Sequence, residues 1–139
     1  MILLDTSGLL AAIDGSQRMH AACAAVLESA RPPFLLSPFV LAELDYLLAT
    51  RVGPEAEAAL LGEVERGAYR LEPFTASDVG VAKQVIERYS DLELGLADAS
   101  IVVLAARHRT RDVLTLDRRH FRAIRTLERK AFRILPQES

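Results

Sequence analysis

The sequence predicts an α/β fold: a central, mostly parallel sheet of about five short strands, covered by helices on both faces. Three observations predict it. Short apolar runs bounded by turn or acidic residues, such as Ile2-Leu3-Leu4 and Phe34-Leu35-Leu36, have the pattern of strands buried on both faces. Helical segments alternate with these runs along the chain. The 139 residues, half of them hydrophobic and a quarter charged, suit one domain with a proper core over residues 1–139. No internal repeat, low-complexity tract or linker interrupts them.

The elements follow in order. Ile2 to Leu4 is a short buried strand running into Asp5, Thr6, Ser7 and Gly8. Gly8 to Asp14 reads as a short helix with Thr6 or Ser7 available as its N-cap. A second helix is expected from Gln17 to Ala30, stopped by Pro32-Pro33. Phe34 to Leu36 is the second strand. Ser37-Pro38, a hydroxyl cap followed by proline at the first helical position, opens a helix to about Arg51. Gly53-Pro54 closes it, and another helix spans about Glu55 to Arg66. Tyr69 to Phe74 reads as a third strand. Thr75 to Asp78 carries a capping signature for a helix reaching about Tyr89. Residues 90–96 form an acidic loop before an apolar helix, about Ala97 to Arg107. Asp112 to Asp117 is the fourth strand, and Phe132 to Leu135, ended by Pro136, the fifth.

Composition excludes several classes. One cysteine, Cys23, rules out an internal disulfide and fits a reducing compartment. The apolar start lacks a basic region and is interrupted by Asp5, so no signal peptide is expected. No run approaches the roughly 20 apolar residues of a membrane span. The expectation is a soluble, cytoplasmic protein. The net charge of −2 hides an asymmetry: residues 107–133 hold ten Lys/Arg against three Asp/Glu, and the remainder seven against sixteen. Such a basic region suits a polyanionic partner, or an ordinary solvated face.

Four acids stand out. Asp5 and Asp117 each follow an apolar strand, so both project from the sheet edge where open α/β sheets bind ligands. Asp98 opens a helix, where the dipole favours negative charge, and shares a face with Ile101, Val102 and Ala105. Glu43 lies beside the stripe Val40, Leu44, Leu47 and Leu48; Asp45, about 200° around the helix, lies on the far side. Glu43 is therefore the better candidate for a buried role. Each acid also has a purely structural reading: Asp5 as a cap, Asp117 in a turn, Asp98 as a dipole partner, Glu43 in an ion pair. Two carboxylates ~5 Å apart repel by roughly 3 kcal/mol at an effective dielectric of 20. A cluster of four needs protons, arginines or a metal ion, and hard oxygen ligands favour Mg²⁺ or Mn²⁺.

These pieces together, ILLDTSGLLA, SPFVLAEL around Glu43, LADASIVVLAA around Asp98 and VLTLDRRHF around Asp117, resemble the PIN-domain ribonucleases, and more closely the VapC-type toxins of type II toxin–antitoxin systems. The resemblance covers essentially the whole chain. It implies a three-layer α/β/α PIN-like fold and an acidic quartet at Asp5, Glu43, Asp98 and Asp117. It further implies Mg²⁺- or Mn²⁺-dependent endonucleolytic hydrolysis of RNA. Asp5 and Asp98 are expected as direct metal ligands, with Asp117 completing the shell or holding a water. Glu43 either ligates or helps remove a proton. Thr6 or Ser7, and Thr115, match supporting hydroxyl positions. Arg118 and Arg119, directly after Asp117, are the nearest candidates to grip RNA phosphates; a solvated pair is the plain alternative. A cognate VapB-like antitoxin is the implied partner, lying in a groove on the helices around residues 38–66, where a homodimer would bury the same apolar positions.

Rival readings are weaker. A haloacid-dehalogenase-type phosphatase needs a second aspartate two positions after the first, and Ser7 stands there. A receiver domain needs its acceptor aspartate after a central strand and a lysine after a later one; neither is evident. A catalytically inactive PIN-like module acting by protein or RNA docking is the remaining alternative, and the complete quartet argues against it. His20, His108 and His120 have no Cys or His partner at zinc-ligand spacing. Cys23, among alanines, reads as core, and Phe121 as packing that fixes the loop after Asp117.

Overall fold

The computed structural model describes residues 1–138. In chain order its elements are β1 (Ile2–Leu4), α1 (Thr6–Ile13), α2 (His20–Ser29), β2 (Phe34–Leu36), α3 (Pro38–Arg51), α4 (Pro54–Glu65), β3 (Arg70–Leu71) and α5 (Ala76–Arg88). A 3₁₀ turn at Ser90–Leu92 leads to α6 (Leu96–His108), β4 (Asp112–Leu114), α7 (Arg118–Ala123) and β5 (Arg133–Leu135). The strands form one sheet in the order β3-β2-β1-β4-β5, and every neighbouring pair is parallel. The expected mostly parallel sheet is thus wholly parallel.

This order decides where a ligand can enter. The chain moves outward from β1 to β2 and β3, then returns past β1 to β4 and β5. Right-handed crossovers put the helices before and after that reversal on opposite faces, which makes three layers. Their loops diverge at the C-terminal ends of β1 and β4, the switch point where open parallel sheets leave a crevice. Asp5 and Asp117 follow those two strands.

The core explains why so short a sheet holds. Ile2, Leu3, Leu4, Leu35, Leu36, Val113 and Leu114 are all buried, with helical Leu9, Leu44, Ile101 and Leu104 packed against them. Gly8 lets α1 lie directly on β4. A Cβ there would stand 2.5 Å from the Leu114 carbonyl oxygen and 2.8 Å from its Cγ, so any other residue would push α1 away. No helix among the described residues is long and apolar enough to cross a membrane.

Several boundaries differ from expectation, each for a local reason. Helix α2 begins at His20 rather than Gln17. The Asp14 carboxylate takes the Ser16 amide (3.0 Å), the Ser16 hydroxyl (2.8 Å) and the Gln17 side chain (3.2 Å), a turn that competes with the helix. Strand β3 has two residues instead of six, although the Glu72 amide adds one more bond, 2.9 Å to the Leu36 carbonyl. Strand β4 stops at Leu114, three residues before Asp117. The expected loop after Asp117 is the short helix α7, capped by Asp117 through the His120 amide at 3.3 Å. Phe121 does pack: it is buried and meets Phe132 edge to face.

Candidate active site

The crevice at the switch point is a cleft of about 450 Å³ lined by Asp5, Thr6, Ser7, Glu43, Asp98 and Asp117, with Leu10, Leu47, Arg51 and residues 95–97 completing its wall. All four sequence-predicted acids therefore line one cleft.

Asp5 sits at the N-cap position of α1, yet its side chain makes no capping bond. Its Oδ2 accepts hydrogen bonds from the hydroxyls of Thr115 (2.6 Å) and Ser7 (3.2 Å). Those hydroxyls are themselves held. Ser7 Oγ accepts from the Leu116 amide (2.9 Å) and Thr115 Oγ1 from the Asp117 amide (2.9 Å). One small network thus ties the end of β1 to the end of β4. Among the supporting hydroxyls, Ser7 and Thr115 touch the carboxylate. Thr6 Oγ1 is instead buried in the cleft wall without a hydrogen-bond partner.

Asp98 lies in the first turn of α6, and its helix is fastened to α3 below the cleft. The Ser37 and Ser100 hydroxyls meet at 2.6 Å, Ser37 Oγ accepts from the Phe39 amide (3.1 Å), and Ser100 donates to the Ala97 carbonyl (2.6 Å). Glu43 reaches the cleft from α3 as an exposed side chain. The buried role expected for it is not what the structure gives: the cleft opens to water on that side. Asp45 does point away, toward Glu57 of α4, and the neighbouring Asp45 carboxyl raises the Glu57 pKa.

Two residues beside the four acids go unassigned from sequence, one against Asp98 and Asp117 and one in the cleft wall. His120 Nδ1 lies 2.9 Å from Asp117 Oδ2 and 3.4 Å from Asp98 Oδ2, without a well-directed hydrogen bond to either. Asp98, Asp117 and His120 each offer one ligand atom within 4.8 Å of the others. The signal was the three-residue spacing from Asp117 to His120, which is one face of a helix only once α7 is known. Arg51 is the other. Glu43, Leu47 and Arg51 recur at four-residue spacing on α3, which put all three on the cleft side. The predicted phosphate grips are placed differently. Arg118 bonds the Pro136 carbonyl and lies 3.5 Å from Glu138, outside the cleft lining. Arg119 is exposed and also outside it.

The electrostatics are those of a site short of positive charge. Burial raises the Asp5 pKa from its ordinary 3.8 to about 6, opposed by the Thr115 hydrogen bond and reinforced by the charge of Asp98. Asp98 is likewise raised by burial; His120 opposes the shift, and Asp117 and Glu43 add to it. A divalent cation fits the donor set. Two carboxylates and an imidazole converge, Asp5 lines the same cleft at 5% exposure with no cationic partner, and Thr6 offers an unpartnered oxygen.

Comparison with known proteins agrees with this geometry. Residues 2–127 match the family model of the PIN domain. The chain is 45% identical over 135 residues to ribonuclease VapC26 of Mycobacterium tuberculosis, covering 97% of this chain and all of that protein. Among solved structures, the fold matches M. tuberculosis VapC20, described as a sarcin–ricin-loop cleaving toxin, with a TM-score of 0.79 at 24% identity over 84% of this chain and 90% of that one. FitAcB of Neisseria gonorrhoeae matches with a TM-score of 0.57 at 24% identity, over 78% and 83% of the two chains. The chain belongs to the PIN-domain family.

Proposed function

We propose, from that family membership and from the cleft, that the protein is a divalent-metal-dependent endoribonuclease acting as the toxin of a type II toxin–antitoxin pair. The observation that carries the chemistry is the convergence of Asp98, Asp117 and His120 within 4.8 Å beside the buried, cation-free Asp5. The ribonuclease named at 45% identity over nearly the whole chain supports RNA as substrate.

In this reading Asp5, Asp98 and Asp117 hold Mg²⁺ or Mn²⁺. Bound there, such an ion polarises a phosphodiester and lowers the pKa of a water nucleophile. The chain's own groups do the rest. Ser7 and Thr115 orient Asp5 through Oδ2 and so hold one ligand rigid. Glu43, at the open side of the cleft, is placed to accept a proton from an entering water. His120, with Nδ1 2.9 Å from Asp117 and 3.4 Å from Asp98, adds an imidazole nitrogen to the donor set. Arg51, in the cleft wall, pairs with a phosphate of the RNA strand.

Exposed Tyr46 and Val52 on and beside α3 and Leu61 on α4 suit an apolar segment of a VapB-like antitoxin; the same face is the one proposed for a homodimer. The testing experiment is cleavage of a mixed RNA pool by purified protein with Mg²⁺ or Mn²⁺, beside Asp98→Asn and excess chelator. Cleavage that requires metal and Asp98 is the expected result. Undiminished cleavage in chelator would overturn the reading, and failure of the neighbouring small gene product to copurify would overturn the toxin–antitoxin part.

A further inference from the structure

The basic excess of residues 107–133 does not surround the cleft. It gathers where a tight turn, 125–131, packs on α5 and α6. The Thr126 amide donates to the Lys130 carbonyl (2.9 Å), the Lys130 amide to Thr126 Oγ1 (3.0 Å), and Arg125 and Ala131 form an antiparallel bridge. The Tyr89 hydroxyl, at the end of α5, accepts from the Arg125 amide at 3.1 Å. The turn is thus pinned in place.

Two hollows flank it. One, of about 290 Å³, is walled by Arg88, Tyr89, Arg125 and Arg129. The other, of about 280 Å³, is lined by Arg109, Arg111, Lys130 and the single acid Glu128, among others. Elsewhere most arginines of this region are committed: Arg107 to Glu72 and Asp78, Arg133 to Asp112, Arg118 and Arg122 to Glu138, with Arg119 the exception. Here they are not. Among the described residues Arg88, Arg109, Arg111, Arg125 and Arg129 have no carboxylate within ion-pair distance, and Lys130 has only Glu128 at 3.9 Å. Two of them also occupy backbone positions that disfavour them. Arg109 (φ 52°) ends α6 and Arg129 (φ 65°) closes the turn, both left-handed positions where glycine or asparagine is the stabilising choice. Local stability alone does not account for arginine at both.

We infer that this face is a second RNA-binding surface, taking backbone phosphates of the substrate away from the scissile bond. The unpaired guanidinium groups match a row of phosphates in charge and in fork geometry. Arg109, the capping residue just past α6, lies eleven residues beyond Asp98, about 16 Å along the helix axis. A strand rising ~3.4 Å per nucleotide needs about five nucleotides to bridge that distance alone, and further ones to occupy the cleft and the basic face at its two ends. The surface therefore discriminates long or structured RNA from short fragments. The inference rests on RNA being the substrate, as proposed above.

The test is binding and not cleavage, in chelator, of a labelled 24-nucleotide RNA and a hexamer, over a range of salt. The variants are Arg125→Ala/Arg129→Ala, the charge-preserving Arg125→Lys/Arg129→Lys, and Arg109→Gly/Arg129→Gly, which removes charge while relaxing the backbone. The wild type is expected to bind the 24-mer more tightly than the hexamer. The alanine pair should lose about tenfold on the 24-mer only, with the salt slope falling by about 1.4, two single-strand phosphate contacts. The lysine pair should keep the slope. The glycine pair should bind weakly with an unchanged or raised Tm, which separates binding from folding. Wild-type affinity and slope in the alanine and glycine pairs would overturn the inference, as would a wild type that binds neither RNA. Capture of poly-glutamate by the wild type, with RNA binding unaffected by the variants, would overturn it in favour of an acidic protein partner. RNA cleavage lost in chelator yet normal in all variants on both substrates would leave the nuclease reading standing and this one fallen.

Discussion

Two buried carboxylates stand at the same edge of the same sheet and face opposite electrostatic fates. Asp5 follows β1 and Glu72 follows β3, and each is 5% exposed. Glu72 is surrounded by basic side chains: Arg70 Nε at 3.1 Å, Arg107 Nη1 at 3.5 Å, and His108 in close contact through Nε2. Burial pushes its pKa up, but His108 and Arg70 outweigh burial and the net shift is downward. Asp5 has no cation, only the hydroxyls of Thr115 and Ser7 and the Thr6 backbone, with Asp98 nearby, and burial carries its pKa up to about 6. Equal burial therefore says little about role. An acid supplied with cations by the fold is a fastener, here joining β3 to α5 and α6. An acid denied them is incomplete until a cation arrives from outside.

The largest effect expected from breaking this contrast is on catalysis. Asp5→Asn should lower metal-dependent RNA cleavage by about 10³-fold or more, because the neutral amide leaves the ion under-coordinated. The same variant should be no less stable than wild type without metal at pH 7, since it removes an uncompensated buried charge. Cleavage assays beside thermal melts in chelator check both halves. A variant that cleaves normally, or that melts well below wild type, would mean that Asp5 is a fastener as well.

Glu72→Ala should do the reverse. Removing the acid leaves the Arg107 guanidinium and the His108 ring without their buried partner, and because Arg107 is partly exposed the cost is about 2–3 kcal/mol, below that of a fully buried pair. Tm should fall by several degrees, with kcat per folded molecule unchanged. A loss of kcat at a retained Tm would move Glu72 into the catalytic apparatus.

The contrast extends to pH, with signs that oppose. Asp5 has a folded-state pKa above its ordinary 3.8, so its contribution is full below about 3.8 and is lost as pH rises through about 6. That loss is on the order of 3 kcal/mol in metal-free protein. Glu72 is lowered, so its contribution is present above its ordinary 4.5 and is lost as pH falls through the depressed value. Metal-free stability should thus decline between pH 4 and 6 on account of Asp5, and this decline should vanish in Asp5→Asn. Added Mg²⁺ or Mn²⁺ requires the ionised site, so its stabilisation, about 2.7 kcal/mol at a hundred times Kd, should grow across the same window. Denaturation at pH 4.5, 6 and 7.5, with and without metal, would expose a wrong sign at once.

The same pair marks the limit of what the sequence discloses. Strand-end acids at the sheet edge are legible, because apolar runs and a carboxylate are local patterns, and so the five strands and Asp5 and Asp117 were found. Glu72 meets the same criterion. Nothing local in the chain says that Arg107 and His108, thirty-five positions on, will neutralise it while Asp5 goes without. The likeness to a known family selected the quartet, and three-dimensional proximity explains the selection. The residues placed elsewhere than sequence adjacency suggests share that cause. His120 comes against Asp98 and Asp117, and Arg51 into the cleft wall, only once α7 exists and the pitch of α3 against the sheet is set. Arg118 was placed by sequence adjacency to Asp117, but helix α7 turns its side chain to Pro136 and Glu138.

The smallest expected effect sharpens the contrast most directly, because it asks whether hydroxyls do for Asp5 part of what cations do for Glu72. Thr115→Val keeps the shape of the side chain and removes one oxygen. That oxygen donates to Asp5 Oδ2 at 2.6 Å and accepts from the Asp117 amide at 2.9 Å, so two of the acids lose their link. A hydrogen bond to a charged acceptor is worth about 1.5–3 kcal/mol. Losing it should raise the Asp5 pKa further, since Thr115 is the largest influence holding it down. The acidic limb of the cleavage pH profile should then move up by about one unit, with activity at high pH reduced less than tenfold. If the limb stays put while activity falls, Thr115 serves only to hold the Asp117 loop, and burial alone sets the charge state of Asp5.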